Sequence, residues 1–189
     1  NSGTTPNNRS YEGLLSEQDI TGVSASSTGM TFTVSALTSV GNDNFANATL
    51  LPANSGVTNG NTSAATVEAG EPAHAGRGPN KSVWYRFTPA ASGALTIDTH
   101  GSAFDTVLAI YTGSVVTALG QVAANDDDGS AGNNSGLMAV PLTGGTTYRI
   151  VVAGYDPASS GALVLNWAFA GSALPGILQF KSSIYSVEE

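Results

Sequence analysis

Nowhere does this chain carry a long apolar stripe at the helical period. Short runs of alternating residues recur instead, each closed by Gly, Asn, Asp or Pro. "SVWYRFTP", "ALTIDTHG", "FDTVLAIYTG", "LGQVAAND", "GLMAVPLTGG", "TTYRIVVAGY" and "GALVLNWAF" follow one another, with "GMTFTVSAL" ahead of them. Each has strand length and is rich in Val, Ile, Thr or aromatic residues. "NDNFANATLLP" has room for one helical turn at most. Short strands at this spacing predict an all-β fold, an antiparallel β-sandwich of jelly-roll-like form.

Three segments are expected. Residues 1–40 read as the tail of a preceding region, a loop followed by one strand. Residues 41–171 hold the sandwich. Residues 172–189 read as a linker and the start of a further β module, cut in mid-pattern at Glu189. A start at Asn1 rather than Met fits a mature product or an excised piece.

Charge narrows the partners. Six Lys and Arg against 14 Asp and Glu give a net charge of -8. Nucleic acid needs a basic stripe and is not expected. No apolar run reaches the ~20 residues of a membrane helix, so no membrane span is expected. There are no cysteines. A secreted domain without disulfides must rest on its core, on a metal, or on both.

The metal reading centres on "NDDDGSAGNN". Asp126, Asp127 and Asp128 are adjacent, and adjacent carboxylates repel unless solvent or a cation compensates. Calcium takes six to eight oxygens from carboxylates, amides and backbone carbonyls, and this loop offers all three. The spacing is not that of an EF-hand, so the site must be completed from elsewhere. Asp105, at the start of a strand, is one candidate, with Glu68 and Glu71 in "ATVEAGEP". Asp43 is weaker. The alternative is a solvated hairpin tip, since Asn, Asp and Gly are ordinary turn residues.

Alternation also assigns faces. Val83, Tyr85 and Phe87 share the expected core side of their strand, which leaves Trp84 beside Ser82 and Arg86. Trp84 is then either an aromatic platform for a sugar ring or peptide, or a ring covered by a loop or by Arg86. Tyr111 and Tyr155, near strand ends, are the other ligand-binding candidates. Leu163, Leu165, Trp167 and Phe169 read as core, as do Tyr148, Ile150 and Val152.

Signatures of catalysis are missing. There is no G-x-S-x-G, no H-E-x-x-H, no Walker loop and no cysteine nucleophile. His74 follows Glu71 by three residues, a pairing that zinc or acid–base chemistry can use. It lacks further ligands nearby, and a loop histidine bonded to backbone is the plainer reading. His100 could join only through the fold.

"NDNFANATLL", "ATVEAGEPAHAG", "KSVWYRFTPAASGALTIDTHGSAFDTVLAIYTG", "VAANDDDG" and "GTTYRIVVAGYDPASSGALVLNW" together resemble the bacterial pre-peptidase C-terminal domain group. Those are β-sandwich modules attached to secreted peptidases and other large surface proteins. "GILQFKSSIYSVEE" resembles the opening of a Calx-beta domain. "NNRSYEGLLSEQDITGVSASSTGMTFTV" resembles the end of the catalytic region of immune-inhibitor-A-type metallopeptidases. The resemblance implies a non-catalytic accessory module, secreted or held at a cell surface. Its partners would be an extracellular polymer, protein or glycan, and neighbouring domains of the same chain. Related collagen-binding domains of secreted collagenases are calcium-dependent, but their ligands lie largely in an N-terminal linker and do not map onto this chain, so Ca2+ as cofactor is expected from the chemistry of the acidic loop itself. Two alternatives stand beside this one: a carbohydrate-binding module, and the C-terminal fragment of a secreted metallopeptidase.

Overall fold

The computed structural model describes residues 18–21, 33–36, 40–52, 54–129 and 132–172. Two compact units divide the chain, residues 1–39 and 40–189. In the first, β1 (Gln18–Thr21) pairs antiparallel with β2 (Thr33–Ala36), Gln18 opposite Ala36. The expected head segment with one strand thus holds two. The residues of the expected Calx-beta-like start, from 173 on, lie outside the described residues.

The second unit is a β-sandwich. One sheet runs β3 (Thr49–Leu50), β5 (Ser82–Phe87), β10 (Tyr148–Gly154), β7 (Thr106–Thr112), β8 (Gly120–Asn125) in spatial order. The other runs β4 (Ser55–Asn61), β11 (Ala162–Gly171), β6 (Gly93–Asp98), β9 (Gly136–Leu142). From β4 to β11, successive strands alternate between the sheets except across the β7–β8 hairpin. That is the jelly-roll path. Pairings are antiparallel except the short β3–β5 contact, which is parallel. A single 3-10 turn, Phe45–Asn47, is all that "NDNFANATLLP" forms before β3.

Alternation explains the core. Val83, Tyr85 and Phe87 from β5 meet Ile150 and Val152 from β10, and Leu108 and Ile110 from β7. Leu95, Ile97, Leu163, Leu165, Trp167 and Phe169 face them from the other sheet. Burying each such side chain contributes about 1.5–3 kcal/mol. Gly56 is required at one place: it pairs with Trp167, whose ring occupies the space a Cβ would take.

Alternation alone misses one layer. The outer face of the five-stranded sheet is itself covered, so β7 is buried on both faces. Phe45, Ala48, Trp84, Ala109, Tyr111 and Val151 form a second apolar cluster there. Its cover is fixed by hydrogen bonds. The Trp84 backbone N–H donates to the Asn42 carbonyl at 2.8 Å, and Asn42 Nδ2 donates to the Trp84 carbonyl at 2.9 Å. The Asp43 carboxylate accepts from the Thr66 N–H and hydroxyl at 2.6 and 2.7 Å.

Candidate metal centre

The β7–β8 hairpin builds the site by its register. Leu108 lies opposite Asn125, so the start of β7 lies beside the end of β8. Asp105, just before β7, is thereby carried to Asp126 and Asp127, just after β8. One carboxylate oxygen from each of the three lies within 4.8 Å of the others. Calcium–oxygen distances are about 2.3–2.6 Å, so two ligands of one ion stand up to about 5 Å apart. The three oxygens fit that span as placed. Strand β10 adds a neighbour: the Tyr155 N–H donates to the Asp105 carbonyl at 3.1 Å.

The backbone here is held from several sides. Ser135 Oγ stands 2.6 Å from both the Thr106 and the Asp126 carbonyls. The Thr106 N–H donates to the Asn133 carbonyl, and the Asp128 N–H to that of Asn134, each at 3.1 Å. Asn125 Oδ1 accepts the Gly136 N–H at 2.9 Å. Asn133, Gly129 and Gly132 sit in the left-handed region, at φ 54, 83 and 97, which Gly and Asn tolerate best.

Each of two carboxylates has one oxygen engaged and one left over. Asp126 Oδ2 accepts from Arg77 Nε at 2.8 Å and Nη2 at 2.6 Å, while its Oδ1 is buried with no hydrogen-bond partner. Asp105 Oδ2 accepts from Asn133 Nδ2 at 3.2 Å, and its Oδ1 is likewise buried without a partner. Buried unpartnered acceptors are rare and call for an explanation. Burial is the main cause raising the Asp105 pKa above its ordinary value; Asn133 opposes it, and the charges of Asp127, Asp126 and Asp156 add to it. Three carboxylates and one guanidinium leave two negative charges uncompensated. That charge, the all-oxygen donor set and the spare buried oxygens fit a hard divalent cation.

Arg77 ties this loop to the covering layer. Its guanidinium lies 4.0 Å over the Tyr155 ring, and its pKa is raised, chiefly by the hydrogen bond to Asp126. Its backbone exchanges two hydrogen bonds with His74.

The other sequence candidates lie elsewhere, each for a local reason. Asp128 turns to His100, its Oδ2 standing 2.6 Å from Nε2, while His100 Nδ1 lies 3.3 Å from Asp98. Glu68 accepts the Phe45 N–H at 2.7 Å. Glu71 is buried beside His74, 3.0 Å from Nε2, and accepts the Glu68 N–H at 3.1 Å. His74 Nδ1 meets the Tyr111 hydroxyl at 2.8 Å. His74 is therefore a side-chain-bonded core histidine and not a loop residue held by backbone alone. Glu68 and Glu71 fix the cover and do not join the aspartates.

The aromatic candidates are also largely enclosed. Trp84 is fully buried, edge-on to Phe45 and His74, so a loop covers it and its ring offers no face to a sugar. Tyr111 is buried against the same histidine. Tyr155 is half-buried and carries Arg77 on its ring. Sequence reasoning missed Arg77 and Asn133 as partners of the aspartates. Arg77 lies 49 residues from Asp126 in the chain, and no spacing links them. No family model matches this chain, and no curated protein matches it.

Proposed function

We propose that this chain is a non-catalytic accessory module of a large secreted bacterial protein. It binds calcium through Asp105, Asp126 and Asp127, and it positions a neighbouring peptidase or adhesive domain on an extracellular polymer. One observation carries the metal part: three carboxylates from two segments converge, and two of them keep a buried oxygen without a partner. Calcium suits the place better than magnesium, which demands near-ideal octahedral geometry, or zinc, which favours nitrogen and sulfur. The loop also offers backbone carbonyls and amides for the further oxygens calcium takes. The accessory role is supported by the resemblance to pre-peptidase C-terminal modules. No helix among the described residues is long and apolar enough to cross a membrane.

In this reading the ion acts as a staple. It joins the end of β8 to the start of β7, in a chain with no disulfide to do so. The test is calorimetric titration of calcium into chelator-stripped protein. The expected result is saturable binding of one ion per chain, lost in Asp105→Asn and Asp126→Asn and kept in Asp128→Asn and Glu68→Gln. Binding that survives Asp126→Asn would place the ion elsewhere. Hydrolysis of peptide or glycan by the chain alone would overturn the non-catalytic role.

A further inference from the structure

Away from the aspartates, two of the chain's few cations stand side by side. Arg86 on β5 is the direct cross-strand partner of Arg149 on β10, so both project from the outer face of the five-stranded sheet. Directly opposed side chains have Cβ atoms about 4.5–5.5 Å apart, and like charges there are destabilising. With 14 acidic residues against six basic ones, a carboxylate neighbour would be easy to supply. Among the described residues, neither guanidinium forms an ion pair with one.

The two arginines differ in setting. Arg149 is half-buried, lies 4.4 Å over the Phe45 ring, and donates from Nη1 to the Phe45 carbonyl at 3.3 Å. Its Nε is buried with no hydrogen-bond partner. Burial, and secondarily the charge of Arg86, lowers its pKa. Arg86 is exposed. On the next rung outward the hydroxyls of Thr88 and Thr147 meet at 2.9 Å. On the other side of Arg86 lies Leu50, 51% exposed. The pair therefore has one partly desolvated guanidinium held by Phe45, one exposed one, hydroxyls along the sheet and an apolar flank.

We propose that Arg86 and Arg149 form a binding site for a single carboxylate group. A carboxylate spans two guanidinium groups with one oxygen for each, in charge-assisted hydrogen bonds. It relieves the like-charge contact between the two opposed guanidinium groups. A polyanion is disfavoured: it needs a basic stripe, and this pair is isolated on a chain of charge -8. The ligand is thus one carboxylate on an otherwise uncharged body, either a free small acid or the end of a peptide chain.

The test is nuclear magnetic resonance of the arginine Nε–H groups in calcium-loaded protein, with acetate titrated at constant ionic strength against chloride. The Arg86 and Arg149 signals should shift together and saturate in the millimolar range, while Arg77, bonded to Asp126, stays in place. Arg86→Gln, at an exposed position, should abolish the saturable shift of Arg149 and leave the fold intact. A short uncharged peptide with a free C-terminus is the second probe, with its amide as control. Tighter binding than acetate assigns a chain end, and equal binding assigns a small acid. A shift that grows linearly without saturating, that appears equally at Arg77, or that persists at Arg149 in Arg86→Gln overturns the site.

Discussion

Replacing Glu71 with Ala should destabilise the module strongly and leave calcium binding in place. The Glu71 carboxylate is buried and takes two hydrogen bonds, from His74 at 3.0 Å and from the Glu68 N–H at 3.1 Å. Bonds to a charged group contribute about 1.5–3 kcal/mol each. Removing the acceptor also leaves the buried His74 donor unpaired and breaks the part-buried bond from the Glu68 N–H, so the expected loss is about 3–5 kcal/mol. At this chain length that lowers the thermal midpoint by roughly 6–20 °C. Urea unfolding followed by tryptophan fluorescence suits the measurement, because Trp84 sits edge-on to His74, with ring centroids 5.7 Å apart. Glu68→Gln, which keeps an oxygen to accept the Phe45 N–H but removes its charge, should cost about 1 kcal/mol or less. The Glu71 loss should be the same in calcium and in chelator. A loss below 1 kcal/mol, or one confined to calcium, would refute the assignment of Glu71 to the cover and return it to the metal site.

Three further outcomes follow from the same geometry. A Cβ at residue 56 would stand 2.5 Å from the Trp167 ring, so Gly56→Ala should cost about 1–3 kcal/mol in urea unfolding; an unchanged midpoint would contradict the ring placement. Burial first, and Glu71 second, pushes the Tyr111 pKa up to about 12 from an ordinary 10.0. Because the folded value is the higher, this stability is full below pH 10 and is lost as pH rises through about 12. The loss is at most about 2.7 kcal/mol, and phenolate absorbance should show two tyrosines titrating late, Tyr111 and Tyr85, the latter raised chiefly by its burial. Asp105 is also raised above its ordinary 3.8, by burial first, so metal-free protein loses stability as pH climbs through that raised value. Asp105→Asn in chelator at neutral pH should therefore melt no lower than wild type, and a clear drop would contradict the strained carboxylate.

Most of the fold was legible because the inner faces alternate cleanly. The residues read as core in "SVWYRFTP", "TTYRIVVAGY" and "ALVLNWAFA" are core. Strand β4, "SGVTNGN", was not legible: its Gly and Asn residues carry little strand preference, and it is held by pairing with β11 along its whole length. Trp84 shows the limit of a two-sided reading. Period two assigns it to the face opposite the core, but it cannot reveal that Phe45 and His74 return over that face. The aspartate site was half legible. Asp105 comes together with Asp126 and Asp127 because hairpin partners are close in sequence. Asp128 and the two glutamates were assigned by charge alone, and each found a nearer donor in the fold: His100, the Phe45 N–H and His74.

The most direct test of the metal centre is thermal unfolding in calcium and in chelator, for wild type, Asp105→Asn and Asp126→Asn. A ligand bound only to the native state at a hundredfold excess over its Kd stabilises by about 2.7 kcal/mol, a shift of several degrees for a domain of this size. The expected result is that rise in calcium for wild type, absent in both variants. Equal midpoints for wild type in calcium and chelator would contradict the metal centre and leave Asp126 and Asp127 as a solvated turn braced by Arg77.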